Sequence, residues 1–319
     1  MATGEGARIV CIGGANVDRK AHCLAPARWH TSNPVQVSES YGGVARNVAE
    51  NLGRLGCRPL LLTAVGDDGE GADLLAATAA ADVATGQALR VPGARTGSYT
   101  AVLEPSGELV IALNEMGVTD ELTVDALAAR WERIAAAGLV FADTNLPPAT
   151  LDYLIARCRD ERLRLVIDPV SAIKAARLPE RLDGVSAILP DRLEAAVLAG
   201  LPAGPTADGA DQAPDVWEAL AARIRDRGAR AVVISLGAAG LFYSSSGVSF
   251  QSAALGGAVV DVTGAGDALA AGFLLGLLEG EPPERCCRLG LAAAALTVRS
   301  DRSVAPDMGT AAVRRMVDG

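Results

Sequence analysis

Six short, near-continuous apolar runs punctuate the chain: RIVCIGG (8–14), RPLLLTAVG (58–66), GLVFAD (138–143), LRLVIDP (163–169), VSAILP (185–190) and ARAVVISLG (229–237). Strands covered on both faces of a parallel sheet read this way, because neither face alternates toward water. Between them lie stretches with helical spacing of apolar positions, at 44–56, 69–81, 123–137, 148–161, 191–200 and 215–227. This alternation predicts right-handed crossovers and a three-layer α/β/α fold with a central, mostly parallel sheet. Further helices are expected at about 265–279, 284–299 and 306–318, and the chain, 1–319, reads as one domain.

Two segments follow a period of two instead. Residues 33–41 (NPVQVSESY) alternate apolar and polar, and 97–114 (GSYTAVLEPSGELVIALN) read as a hairpin turning at Glu104-Pro105-Ser106-Gly107. Each should rest one face on a partner and show the other to solvent. They predict a small sheet that either extends the edge of the main one or forms a lid over a site. Their position beside a glycine motif favours the lid, which could also pair two copies of the chain as a homodimer. The Gly/Pro/Asp-rich stretch 201–214 reads as a surface loop between two helices.

Composition narrows the picture. Half the residues are hydrophobic but only 3% are aromatic, so Ala, Val, Leu and Ile must build the core. A net charge of −9 argues against broad contact with nucleic acid or an anionic membrane, while a small phosphorylated ligand remains compatible. No apolar run approaches the ~20 residues of a membrane span, and the N-terminus lacks the pattern of a signal peptide. Cysteines at 11, 23, 57, 158, 286 and 287 show no metal-ligand spacing, which fits reduced thiols in a cytoplasmic protein. With only His22 and His30, a histidine-based triad or zinc site is not expected. Neither GxxxxGK[ST] nor GxGxxG occurs.

Several motifs fall where strands give way to turns. GGANVD (13–18) puts Asn16 and Asp18 at a strand's carboxyl end, where a carboxylate suits vicinal hydroxyls; a self-satisfied Asx turn is the plain alternative. In YGGVARNVAENLGRLG (41–56), Gly42 and Gly43 let backbone approach a ligand, and Asn47 sits on the first helical turn, off the stripe Val44, Val48, Leu52 and Leu55. Asp191 and Glu194 in PDRLEA share a helix face and could orient a hydrated Mg²⁺, or form an ordinary capping box. SLGAAG (235–240) could lay Ser235, Gly237 and Gly240 against a nucleotide, or make a hairpin turn. In DVTGAGDALAAGF (261–273), Gly264-Ala265-Gly266 offers amides at a helix start, a cradle for a phosphoryl group. Asp267 could there be a cap, a cation anchor or a base facing a phosphoacceptor hydroxyl.

Taken together, these motifs resemble the ribokinase-like (PfkB) family of sugar and nucleoside kinases over about residues 8–307. DVTGAGDA is similar to its C-terminal signature, GGVARNVAENLGRLG to its N-terminal one, and GDDGEG (66–71) to the loop that follows. SNP (32–34), VPGARTGSY (91–99), IALNEM (111–116), DPVSAIK (168–174) and RLEA (192–195) resemble the members that phosphorylate pseudouridine. The resemblance implies ATP-dependent phosphorylation of a 5′-hydroxyl, with Asp267 as catalytic base and Gly264, Ala265 and Gly266 as anion hole. It assigns the ribose hydroxyls to Asp18, Gly42, Gly43 and Asn47, with Asn16 nearby, and puts Asn145 beside the sugar. Ser235, Gly237 and Gly240 would border ATP, and Glu194 would hold Mg²⁺ through water. A monovalent cation such as K⁺ would rest near Asp261, Thr263 and the 300–303 loop, including Ser303. Ser98, Thr100, Asn114 and Met116 would read the base, and Lys174 would partner phosphate or base unless it is a plain surface lysine. Ribokinase or another nucleoside kinase is the neighbouring expectation, since the ribose residues serve them all. A member that only binds ligand is disfavoured by intact Gly264, Gly266, Asp267 and Glu194. One departure stands out: the family's Asn-x-x-Glu is here Asp191-x-x-Glu194, which adds charge and removes an amide donor.

Overall fold

The computed structural model describes residues 8–201 and 214–318, so most of the expected 201–214 loop lies outside the described residues. Eight strands form the central sheet. In spatial order they are Val248–Ser252, Leu241–Ser245, Ala231–Ser235, Val185–Ile188, Arg164–Asp168, Leu139–Asp143, Val10–Ile12 and Leu60–Leu62. Pairing is parallel from Ala231–Ser235 through Leu60–Leu62, and Leu241–Ser245 alone runs against the others, antiparallel to both its neighbours. The near-continuous apolar runs are explained by burial on both sides. Cys11, Phe141, Val166 and Val233 pack into one helical layer, and Val10, Val140, Ile167 and Ile234 into the other.

Helices Val44–Arg54, Ala265–Glu279, Pro283–Thr297 and Thr310–Asp318 cover the first face. Pro148–Asp160, Arg192–Leu198 and Pro214–Asp226 cover the second. With so few aromatics, close packing relies on small residues: a Cβ on Gly272 of helix 265–279 would run into the Leu289 carbonyl of helix 283–297. Two expected elements are divided. Of the run 58–66, Leu60–Leu62 joins the central sheet while Ala64–Gly66 pairs with Leu89–Val91 in a separate two-stranded ribbon. The expected helix 123–137 becomes Val124–Ala128 and Trp131–Ala136.

The period-two segments build a second sheet, ordered Val35–Gly42, Asn16–Cys23, Ser98–Leu103 and Leu109–Glu115. It stands apart from the central sheet and is no edge extension. Asn16 and Asp18 lie in its strand Asn16–Cys23, so the Asx-turn alternative is corrected. Among the described residues, no helix is long and apolar enough to cross a membrane.

Candidate active site

At the end of strand Leu139–Asp143, the Asp143 carboxylate is fully buried and accepts three backbone N–H groups, from Gly14 (2.9 Å), Ala45 (2.8 Å) and Asn145 (2.9 Å). It ties together the turn after the first strand, the start of helix 44–54 and its own following loop. Gly13 is required there, because a Cβ would run into that carboxylate. Gly42 likewise makes room for the Asp18 carboxylate, and Gly43 (φ 97°) for the Gly14 carbonyl. The glycine pair thus serves close approach within the protein as well as toward the cleft. Asn16 Nδ2 donates to Asp18 Oδ1 at 2.6 Å, and burial pushes the Asp18 carboxyl above its usual range.

Opposite lies the start of helix 265–279. Gly264 is left-handed (φ 79°), and a Cβ on it would run into the Ser303 carbonyl. The Ala265 N–H turns inward to Val262 O at 3.2 Å. The amides of Gly266 and Asp267, at the helix start, have no acceptor within the helix and point with its positive end. Asn47 Nδ2 donates to Asp267 Oδ2 at 2.8 Å, so a residue assigned to sugar also touches the carboxylate. Burial, followed by the charges of Asp168 and Asp143, raises Asp267 well above an ordinary aspartate, against the pull of Asn47 and Arg46.

A cavity of roughly 180 Å³ adjoins Asp267, lined by Asp168, Val170, Asp191, Glu194, Ser235 and Gly266. The capping alternative for PDRLEA is realised: Glu194 N donates to Asp191 Oδ1 (2.7 Å) and Asp191 N to Glu194 Oε2 (2.8 Å). The same carboxylates still face the cavity. Glu194 is pushed up by burial and by Asp168 and Asp191; Asp168 by burial, Asp143 and Asp191. No cluster of three His, Cys, Asp or Glu groups among the described residues could hold a metal directly. Sequence reasoning gave Asp168 no role, although DPVSAIK carries it at a strand's end. Val170 has φ 64°, rare for a β-branched residue, in a tight turn closed by Ser171 N donating to Pro169 O at 2.6 Å.

Beyond Gly266 a second, apolar cavity of roughly 390 Å³ is lined by Ser235, Gly237, Gly240, Leu255, Val262, Leu269 and Val298. The expected nucleotide residues therefore meet beside the helix start. Asp261 Oδ1 is engaged by Thr263 N (2.8 Å) and Oγ1 (2.7 Å), and Oδ2 by Lys20 of the lid (3.3 Å).

On the lid, register decides which side chains face the cleft. Asp18 pairs with Tyr99, and Tyr99 with Asn114, so these three share a face. Ser98 and Thr100 pair with Val17 and Arg19 on the opposite face. A shift of one residue reverses the side, so Ser98 and Thr100 do not share the face of Asp18, Tyr99 and Asn114. Met116 lies at the lid's root, its sulfur beside Gly97. Lys174 is no plain surface lysine: it is half-buried, its Nζ donates to Asn145 Oδ1 at 2.5 Å, and burial lowers its pKa. The lid's other face is apolar and open, with Val37 52% and Leu113 58% exposed.

A family model described as "pfkB family carbohydrate kinase" matches residues 7–308. Pseudouridine kinase of Escherichia coli (strain K12) is 33% identical over 97% of this chain and 96% of its own. A solved carbohydrate kinase from Agrobacterium tumefaciens superposes with a TM-score of 0.80 at 30% identity, covering 97% of this chain and 96% of its own. Arabidopsis thaliana ribokinase complexed with ribose and ATP gives 0.82 at 21% identity, covering 99% and 100%, and supports the fold alone. The chain belongs to the pfkB family of carbohydrate kinases.

Proposed function

We propose that this pfkB-family kinase transfers the γ-phosphoryl group of ATP to the 5′-hydroxyl of pseudouridine, giving pseudouridine 5′-phosphate and ADP. The observation that carries the reading is Asp267. It stands at a helix mouth between an acid-lined cavity, an apolar cavity and the buried sugar-side cluster of Asn16, Asp18 and Asn47. Its carboxylate takes the hydroxyl proton as the oxygen forms its bond to the γ-phosphorus and the bridging bond to ADP breaks. A raised proton affinity suits that task, since the base must hold the proton once taken. The Gly266 amide and the positive helix end offset charge on the transferring group, with Gly264 and Ala265 shaping the turn. Glu194, with Asp191 and Asp168 nearby, would hold the water shell of a Mg²⁺, which would supply charge neutralisation at the phosphates.

Asp18, Gly43 and Asn47 would hold the ribose hydroxyls, with Asn145 and its partner Lys174 on the far side. Asn114 and Met116 would read the base, and register adds Tyr99 to them. The E. coli relative supports pseudouridine within the family. K⁺ on carbonyls around Asp261, Thr263 and Ser303 would complete the anion site. The apolar outer lid face supports a homodimer, and small soluble substrates suit a cytoplasmic setting. An ADP-release assay across pseudouridine, uridine, cytidine, adenosine and ribose, with and without K⁺, tests the reading. Pseudouridine should be preferred; preference for ribose or adenosine would overturn the substrate and leave the family standing.

A further inference from the structure

Behind the cleft, helix 44–54 buries a guanidinium that the chemistry above does not use. Arg46 is 4% exposed, and each of its three guanidinium nitrogens has a partner. Nε faces Thr78 Oγ1 (3.2 Å), Nη2 pairs with Glu50, and Nη1 donates to the Tyr41 carbonyl (2.6 Å) and to Asn47 Oδ1 (2.8 Å). Glu50 is held from its other side by Arg54 Nε (3.0 Å) and Nη2 (2.8 Å). A buried ion pair is a weak stabiliser, because desolvation consumes most of its attraction. What this one achieves is orientation. Arginine has donors only, so the atom of Asn47 that meets it must be the carboxamide oxygen. The carboxamide nitrogen is then turned to Asp267, where it lies 2.8 Å from Oδ2.

We propose that Arg46 is a positioning residue for the base: it locks the Asn47 carboxamide so that an N–H, not an oxygen, meets Asp267. Without it the amide can turn over and set oxygen against carboxylate. This rests on the reading of Asp267 as base and goes beyond it by assigning the residue that orients the base's partner. Asp168 and Asp143 act on Asp267 from two strand ends, and Asp191 and Glu194 line the same cavity. Arg46 opposes them at Asp267 from helix 44–54, where Glu50 and Arg54 complete the charged row, while Lys174 opposes Asp143, and Lys20 joins Arg46 against Asp18.

The test compares Arg46→Met, Arg46→Gln and Arg46→Lys by kcat, both KM values and the pH profile of kcat, with thermal unfolding as the control for folding. Arg46→Met should lower kcat roughly 10–100-fold, the scale of a misplaced reacting group, and leave KM for ATP within about twofold. Its acidic limb should move to higher pH as the opposing charge is lost. Arg46→Gln, which can still donate to Asn47 Oδ1, should recover much of kcat with the limb still displaced. Arg46→Lys should bring the limb back. A kcat in Arg46→Met within twofold of wild type, or an equal and pH-independent loss in all three variants, would overturn the assignment. Should Arg46→Met not fold, the split between the glutamine and lysine variants decides in the same way. Asp267→Asn run alongside separates the failures. Turnover retained there removes the base reading itself, whereas turnover lost there but kept in Arg46→Met removes only the role of Arg46.

Discussion

Asp143 on the floor of the cleft is fully buried and accepts three backbone amides, whereas Asn114 across from it sits on a strand exposed along nearly its whole length. The floor is fixed from within: strand ends, glycine turns and helix starts are joined through carboxylates that solvent does not reach. The lid is held by its ladder and by a few exposed ion pairs, such as Arg19–Glu39 at 2.9 Å. Groups that must meet a reacting phosphorus need the first kind of support. Groups that close over a substrate can work from the second, and they can change without unfolding the body.

The floor side breaks hardest. Asp143→Ala strands three buried amides at about 1–3 kcal/mol each, so the unfolding midpoint should drop by roughly 10 °C or more. Differential scanning calorimetry checks this, and a midpoint within a degree or two of wild type would mean the floor is not tied as described. On the lid, Asn114→Ala should raise KM for the nucleoside about tenfold while leaving KM for ATP and the unfolding midpoint in place. If both KM values stay put, the lid does not read the base.

A third difference lies in pH. The folded-state pKa values of Asp267, Asp168 and Glu194 are raised, so the folded state binds more protons than the unfolded chain. Their contribution to stability is fully present below the ordinary carboxylate range and is lost as pH rises through the raised folded values. The ligand-free protein should therefore lose stability between about pH 5 and pH 8, and Asp168→Asn with Glu194→Gln should flatten that loss. An unchanged slope in the double variant would show the acid cluster to be better compensated than its burial implies. The smallest effect belongs to Lys20, whose pairing with Asp261 at 3.3 Å links the lid to the turn before helix 265–279. A partly exposed pair is worth about 0–1 kcal/mol, so Lys20→Ala should raise KM for ATP no more than about fivefold, and less at high salt.

The same contrast explains what could be read from the chain. The floor's strands were legible because burial on both faces leaves unbroken apolar runs, and the cleft sits where those runs stop. Strand Asn16–Cys23 was not, because Arg19 interrupts its apolar alternation; the structure answers that charge with Glu39 and Glu70. That Ser98 and Thr100 lie on the face opposite Asp18 was not legible, since parity in a strand is set by register, which single-sequence patterning leaves open. Asp143 and Asp168 read as any acid before a turn, and only three-dimensional convergence distinguishes them. Asp191 and Glu194 could be cap or cation face, and the folded chain makes them a capping box whose residues also line the cavity.

Asp267 tests the account most directly. Calorimetry and turnover measured on the same preparation of Asp267→Asn should show nucleoside and ATP binding retained and kcat lower by about 10²–10⁴-fold. Turnover close to wild type, with binding intact, would contradict it.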